Sequence, residues 1–370
     1  MLELGQQGIR IVPALPDDED WEASTTMKFG PILTAQAVGK VLGHNMAGAD
    51  GRRLFRKGHP LTPADVTTLL EMGRSVVYVA ELEADDVAEN EAARRVAAAV
   101  SGTGLSLTGP ATGRVNLKAA ILGILRVDAA RLARLNSQEG ITLATLLTNT
   151  AVHPRKIVAT VKIIPYAVPE TAVTAVEAIA AEAGPLINIT PLPSCPIALI
   201  LSGSPAAQTR IVESFIPPIR TRLAALGSLL DTVDFIPLED ETGEMELAHK
   251  LTERVQRGAG LVILAGETAI MDRYDIAPRA IERAGGVVTC FGTPVDPGNL
   301  LMLGYLGKIP VLGAPGCVRS PKPNIVDLVL PRLLAGDRLT QIDIVALGHG
   351  GLLEDVAERP LPRHRVNSKQ

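Results

Sequence analysis

Asp272 and Asp275 stand three residues apart in Leu261-Val-Ile-Leu-Ala-Gly-Glu-Thr-Ala-Ile-Met-Asp-Arg-Tyr-Asp275, where an apolar run stops at a glycine and a short polar loop leads into a helix-like segment over 276–284. Carboxylates so placed can hold Mg²⁺ through oxygen ligands while the metal binds a phosphate. Gly266 lets the backbone come close to a ligand. Thr268 offers a hydroxyl and an amide. Two readings of Asp275 stand side by side: metal ligand, or N-cap of the following helix. Asp272 reads as a solvated carboxylate on one view and as its metal-binding partner on the other.

Three further loops carry polar groups after apolar runs. Pro294-Val-Asp-Pro-Gly-Asn299 combines Asp296, Gly298 and Asn299 in a stiff turn, which is equally the composition of a plain β-turn. In 313–324, Ser320, Lys322 and the first amides after Asn324 could gather an anion at a helix start, with Arg319 adding charge. Cys317 in the same loop reads as a small buried hydrophobe. Ser202, Gly203 and Ser204 follow the first apolar run of this half and form the weakest pattern. Two histidine settings, His153 beside Pro154 and His349 between glycines, read as turn and loop residues.

The elements that must present these loops alternate regularly. Strands are expected over 197–201, 229–236, 261–265, 287–291, 309–312 and 342–347, with helices over 208–226 (bent at Pro217-Pro218), 244–258, 276–284 and 324–334. That alternation calls for βαβ crossovers, hence an α/β fold with a mostly parallel open sheet and helices on both faces. Ahead of it, 102–164 shows short β-type segments, among them 141–147 and 156–164. Helical spacing is read over 31–41, a capped helix over 61–73 (Thr62 as N-cap, Pro63 in the first turn, Gly73 as stop), a strand over 75–80, and helices over 85–99 and 170–183. The expected plan is a lead-in over 1–27, a β-rich α+β domain over 28–167, the α/β domain over 168–347 and a loose tail over 348–370.

Composition narrows the function classes. Apolar residues make up 46% of the 370 and aromatics 3%, so Ala, Val, Leu and Ile carry the core and no stacking platform for single-stranded nucleic acid is expected. The net charge of −4 without a dense basic run argues against any nucleic-acid partner. Apolar runs break well short of a membrane span, and no leader-type opening is read. Three cysteines without paired spacing suit a reducing compartment, so a cytoplasmic protein is expected. Gly-x-Gly-x-x-Gly after the first strand, a Walker A loop, a Gly-x-Ser-x-Gly elbow and a His-Glu-x-x-His helix are all missing.

In order and spacing, Ala265-Gly-Glu-Thr-Ala-Ile-Met-Asp-Arg-Tyr-Asp275, Val295-Asp-Pro-Gly-Asn299 and Ala314-Pro-Gly-Cys-Val318 resemble the loops of the molybdopterin-binding family of molybdenum-cofactor biosynthesis. Lys57-Gly-His-Pro-Leu-Thr and Val158-Ala-Thr-Val-Lys-Ile-Ile-Pro look like the front part of a bacterial subgroup. The resemblance implies a molybdopterin-type ligand and either adenylyl transfer from ATP to the pterin phosphate or molybdate insertion with release of AMP. It assigns Gly266, Thr268 and Asp275 to phosphate or its Mg²⁺, and Pro297-Gly298 and Pro315-Gly316 to the pterin pocket. A homo-oligomer and a molybdoenzyme client are further implications. The chain also departs from the pattern: Glu267 and Met271 replace glycines, Val318 replaces a proline, and Ser204-Pro205 stands where the inserting branch has an acidic pair. Those departures favour an alternative, a non-catalytic carrier or store of the finished cofactor.

Overall fold

The computed structural model describes residues 27–48, 50–238, 242–267 and 270–351. The lead-in over 1–26, the tail from 352 and Thr268 lie outside the described residues. Contacts divide the chain into two units: one takes residues up to Ala120, Val127–Thr148 and Pro154–Asn188, and the other takes Ile121–Arg126, Asn149–His153 and everything from Ile189 on.

The first unit is α+β. A three-stranded antiparallel sheet, in the order Lys28–Leu33, Val76–Glu81, Val41–Leu42, covers the helix Pro63–Glu71. Thr62 and Asp65 close a capping box there, and Gly73 ends the helix with φ +75°. A second antiparallel sheet runs Ile141–Thr145, Ile157–Ile163, Arg114–Ala119, Leu105–Leu107. The helical spacing over 31–41 does not produce a helix: Lys28–Leu33 pairs along its length with Val76–Glu81, and a single 3-10 turn follows at Thr34–Gln36. The helix Glu170–Ala181 belongs to this unit, so the division falls after the expected 167/168. Arg95 accounts for that docking. Its guanidinium, on helix Glu89–Val100, bonds Glu170 at 2.7 and 2.8 Å and Glu177 at 2.9 and 2.8 Å.

The second unit carries a six-stranded mixed sheet. Its strands are β1 (Pro196–Gly203), β2 (Leu229–Pro237), β3 (Leu261–Gly266), β4 (Val287–Phe291), β5 (Met302–Leu306) and β6 (Ile309–Gly313), in the order β2-β1-β3-β6-β5-β4. The pairs β1–β2, β1–β3 and β3–β6 are parallel, whereas β5 runs antiparallel to both neighbours. The helices are α1 (Gln208–Ala225), α2 (Thr242–Gln256), α3 (Ile276–Arg283), α4 (Ile325–Leu334) and α5 (Gln341–Val345).

Alternate residues of the buried strands feed two cores, as the two-residue period of a strand requires. Ile197, Leu199 and Leu201 pack with Ile211, Phe215 and Leu223 of α1 and with Val326 and Leu330 of α4. Ala198, Ile200, Val262 and Leu264 pack with Leu247 and Leu251 of α2 and with Ala280 and Ile281 of α3. The expected strand over 342–347 is instead α5 and a 3-10 turn at Ala346–Gly348, because Thr340 and Asp343 form a capping box that starts a helix. Among the described residues no helix is long and apolar enough to cross a membrane.

Candidate functional site

The sheet topology fixes where a ligand can sit. β1 leads into α1, which packs in one core, while its neighbour β3 leads into α3, which packs in the other. Adjacent parallel strands whose connections leave in opposite directions open a crevice beyond their carboxyl ends. Here Gly203-Ser204 and Gly266-Glu267 flank that crevice. The strand ends approach so closely that a Cβ on Gly266 would stand 2.4 Å from the Ser202 Oγ and 2.7 Å from its carbonyl oxygen, which excludes any larger residue without movement.

An open cleft of about 350 Å³ runs from this point along the start of α3. Ser202, Gly266 and Asp275 supply polar edges, and Leu238, Ile270, Met271, Ile276 and Ala314 supply apolar walls. Its size and lining suit a small ligand with an apolar part and a polar end.

Glu267 spans the crevice. Its Oε2 accepts hydrogen bonds from the Ser204 amide at 3.0 Å and the Ser204 hydroxyl at 2.9 Å, and its Oε1 accepts one from Arg210 at 2.8 Å. The two Ser204 bonds, with Arg210 adding its charge, hold the Glu267 carboxyl below the usual carboxylate value. Read from the sequence, Glu267 was a departure from a glycine pattern. In the fold it is a cross-link between two strand ends 63 residues apart.

Asp275 occupies the N-cap position of α3, but its side chain does not cap the helix. The carboxylate turns back instead: Oδ2 accepts from the amides of Met271 at 2.6 Å and Asp272 at 2.9 Å. Asp272 accepts from the Tyr274 amide at 2.8 Å. Both carboxylates therefore fold their own loop. Among the described residues no group of three or more His, Cys, Asp or Glu side chains stands together as a metal seat. Mg²⁺ fits this loop only as an ion that arrives with its phosphate and needs one or two carboxylates from the protein.

The loop 314–324 contributes Ala314 to the cleft and then turns away from it. Arg222 of α1, its side chain 9% exposed, draws the segment inward: it donates to the carbonyls of Val318, Ser320 and Lys322 and pairs with Asp327 at 2.9 Å. The start of α4 is also closed. Asn324 Oδ1 accepts from the Val326 amide, Asp327 accepts from the Asn324 amide, and the Ile325 amide donates to the Pro297 carbonyl. An anion gathered by the first amides after Asn324, with Ser320 and Lys322, would have to break these bonds. The Ser320 hydroxyl itself accepts from the Lys322 amide at 3.1 Å. Pro315 and Gly316 open a 3-10 turn, in which Arg319 donates to the Gly316 carbonyl and stacks over Phe215.

Asp296, Gly298 and Asn299 form a separate bend. Thr293 Oγ1 donates to the Gly298 carbonyl, the Thr293 amide donates to the Asn299 carbonyl, and the Asp296 amide donates to the Gly351 carbonyl. Gly298 has φ +140°, and a Cβ there would stand 2.2 Å from Ile325. This bend is wedged against the start of α4, and none of the three residues lines the cleft. Burial pushes the thiols of Cys195, Cys290 and Cys317 up, away from reactive thiolates. His153 and His349 are exposed.

Arg210 escapes a reading by motif, and Ser204 enters one only through the weak pattern after the first strand. Ser204 and Arg210 acquire their roles from Glu267, and only the pairing of β1 with β3 brings them together. Arg222 had a legible signal: an arginine on the apolar stripe of α1, between Ile219 and Leu223.

A domain of unknown function, DUF8806, matches residues 31–81, within the first unit. No curated protein matches the chain. Among solved structures the chain is similar to a molybdopterin biosynthesis MoeA protein from Pyrococcus horikosii, with 12% identity, a TM-score of 0.28, and coverage of 84% of this chain and 75% of the other. It is also similar to a molybdenum cofactor biosynthesis protein from Pyrococcus furiosus, with 11% identity, a TM-score of 0.20, and coverage of 86% and 65%.

Proposed function

We propose that the second unit binds molybdopterin or a phosphorylated derivative in the cleft between β3 and α3, and that the protein acts in molybdenum cofactor biosynthesis. The observation that carries the reading is the meeting of Ser202, Gly266 and Asp275 along one apolar-walled cleft at the switch point of the sheet. Two of these, Gly266 and Asp275, belong to the stretch that resembles the family's phosphate loop. Leu238, Ile270, Met271 and Ala314 would face the flat pterin, and the strand-end amides would face its phosphate. Mg²⁺ and ATP or AMP enter this proposal as companions of the ligand, not as resident groups.

The second reading, a carrier or store of finished cofactor, draws on the loop carboxylates. Asp275 and Asp272 are engaged by the amides of their own loop, and Glu267 by Ser204 and Arg210. A site so braced holds a ligand without needing to reorganise during a reaction. Purified protein incubated with molybdopterin, Mg²⁺ and ATP separates the two. Formation of adenylylated pterin, or release of AMP on supplying the adenylylated form with molybdate, supports the enzyme. Retention of the pterin without turnover supports the carrier. Failure to retain any pterin rejects both. Elution volume and pull-down against molybdoenzymes test the homo-oligomer and the client.

A further inference from the structure

We infer that the outward face of the three-stranded sheet in the first unit is a docking surface for an acidic segment of another protein, one that carries aromatic or aliphatic side chains between its carboxylates. In the pairing of Lys28–Leu33 with Val76–Glu81, Phe29 lies opposite Ala80, Pro31 opposite Tyr78 and Leu33 opposite Val76. The alternate residues Ile32, Val77 and Val79 pack with Leu61 and Leu69 in the core. The outward positions are therefore held by Phe29, Pro31, Leu33, Val76 and Tyr78, with no charge among them. Phe29, Leu33 and Tyr78 are 40%, 47% and 39% exposed.

Rings gather on this face although the whole chain has only five Phe, four Tyr and one Trp. By ring centroids Phe29 lies 6.2 Å from Tyr78 and 6.5 Å from Tyr166. The exposed His44 ring packs against Phe29 at 5.7 Å and against Tyr78 at 5.3 Å. The solvent side of an antiparallel sheet is ordinarily polar, so five apolar residues there need a reason. An exposed apolar patch with a polar rim marks an interaction surface, and aromatic side chains with arginine are what such surfaces favour.

The rim supplies the charge that selects the occupant. Strand Arg53–Phe55 pairs with Met46–Ala47, just after His44, and runs on into Arg56 and Lys57. The Lys57 amide donates to Asn45 Oδ1 at 2.9 Å, and a Cβ on Gly58 would stand 3.4 Å from the Tyr166 ring, so this basic segment borders the rings. Arg53, Arg56 and Lys57 are exposed, and none of them has an ion-pair partner among the described residues. The carboxylates of neighbouring segments are already paired: Glu81 with Lys40, Glu83 with Lys28, Asp65 with His59 and Asp50 with Arg52. Three unanswered positive charges beside an uncharged apolar face call for an occupant that is both acidic and apolar. Nucleic acid fits less well, because Pro31, Leu33 and Val76 give a base nothing to stack on and three cations release few counterions. The surface lies wholly within the first unit and stands whether or not the second unit binds a pterin.

The test uses the full-length protein and the fluorescein-labelled peptide Asp-Glu-Leu-Asp-Phe-Glu-Leu-Asp, followed by fluorescence anisotropy. The unaltered protein should bind the peptide saturably in the micromolar range, and added salt should weaken the complex. Arg53→Glu combined with Arg56→Glu, both on exposed positions, should weaken binding about tenfold with the melting curve unchanged. Leu33→Asp should weaken it about as much from the apolar side. Unaltered affinity in the arginine variant would overturn the proposal, as would equal binding of a peptide with lysine at every acidic position, or no saturable binding by the parent. Oligothymidylate bound more tightly than the peptide would give the face to nucleic acid and overturn it too. A parent dimer that Leu33→Asp dissociates would give it to a second copy. A parent that binds no peptide, and in which Leu33→Asp red-shifts the emission of Trp21, the sole tryptophan, would give it to the chain's own lead-in. Either result would replace the protein partner proposed.

Discussion

Two loops of the second unit begin alike and end differently. Residues 266–275 and 313–324 both leave a buried strand at a glycine and lead into a helix. The first places Gly266, Ile270, Met271 and Asp275 along a cleft, and Glu267 and Asp275 accept from backbone amides beside it. The second is pulled onto the core by Arg222 and Asn324, which consume its carbonyls and close the start of α4. The difference teaches that a strand-loop-helix pattern keeps a cleft at its edge only when the core does not draw the loop inward. An arginine on a neighbouring helix, its side chain 9% exposed, is enough to do so.

The largest effect should come from undoing the closed loop. Arg222→Ala takes the guanidinium from Asp327 and from the carbonyls of Val318, Ser320 and Lys322, and the loss of these charge-assisted bonds together should cost about 3–5 kcal/mol. Urea denaturation should report that loss. A cost below 1 kcal/mol would mean that the loop is closed by other contacts.

Next in size is Gly298→Ala. The added methyl meets Ile325 and the backbone stands at φ +140°, so strain and overpacking together should cost about 2–4 kcal/mol. A thermal melt unchanged from the parent would show that the bend and α4 separate freely, which breaks the contrast between a wedged and an open loop.

Asp275→Ala sharpens the open side of the comparison. It removes the acceptor for two loop amides and should cost about 1–2 kcal/mol, measurable by the same denaturation curve. If Asp275 serves chiefly as a ligand to phosphate-bound Mg²⁺, stability should instead hold and Mg²⁺-dependent pterin binding should fall.

The smallest effect is a pH dependence. Glu267 has a folded-state value lowered from 4.5, with Ser204 and Arg210 facing it. A lowered carboxylate contributes stability that is complete above 4.5 and is lost as pH falls through the folded value. The difference in melting temperature between the parent and Glu267→Gln should therefore be constant above about pH 6 and shrink toward acid. A difference that grows toward acid would contradict the brace.

Much of the second unit was legible because its periods are clean. The helix 208–225 was read almost to the residue, and Pro217 and Pro218 lie inside it as expected. Strands at 261–266 and 287–291 announce themselves as β-branched runs. β5 was not read, since Met302–Leu306 lacks that signature and owes its state to pairing on both sides. Helix α5 was misread as a strand although Thr340 and Asp343 carry a capping signal; the apolar run 342–347 outweighed it. In the first unit, 31–41 had helical spacing, but Lys28–Leu33 found a partner strand and only a 3-10 turn at Thr34–Gln36 followed. At the site, Gly266 and Asp275 were legible from the loop pattern. The roles of Ser204 and Arg210 were not, because both depend on Glu267, 63 and 57 positions away; Arg222 carried a signal in its place on the apolar stripe of α1, but its partner Asp327, 105 positions on, was not legible.

Hydrogen exchange with and without molybdopterin tests the central claim most directly. Protection should rise at Ser202, Gly266 and 270–277, with 318–325 unchanged because it does not line the cleft. Retained pterin that protects 318–325 and leaves the β3–α3 cleft untouched would contradict the placement of the site.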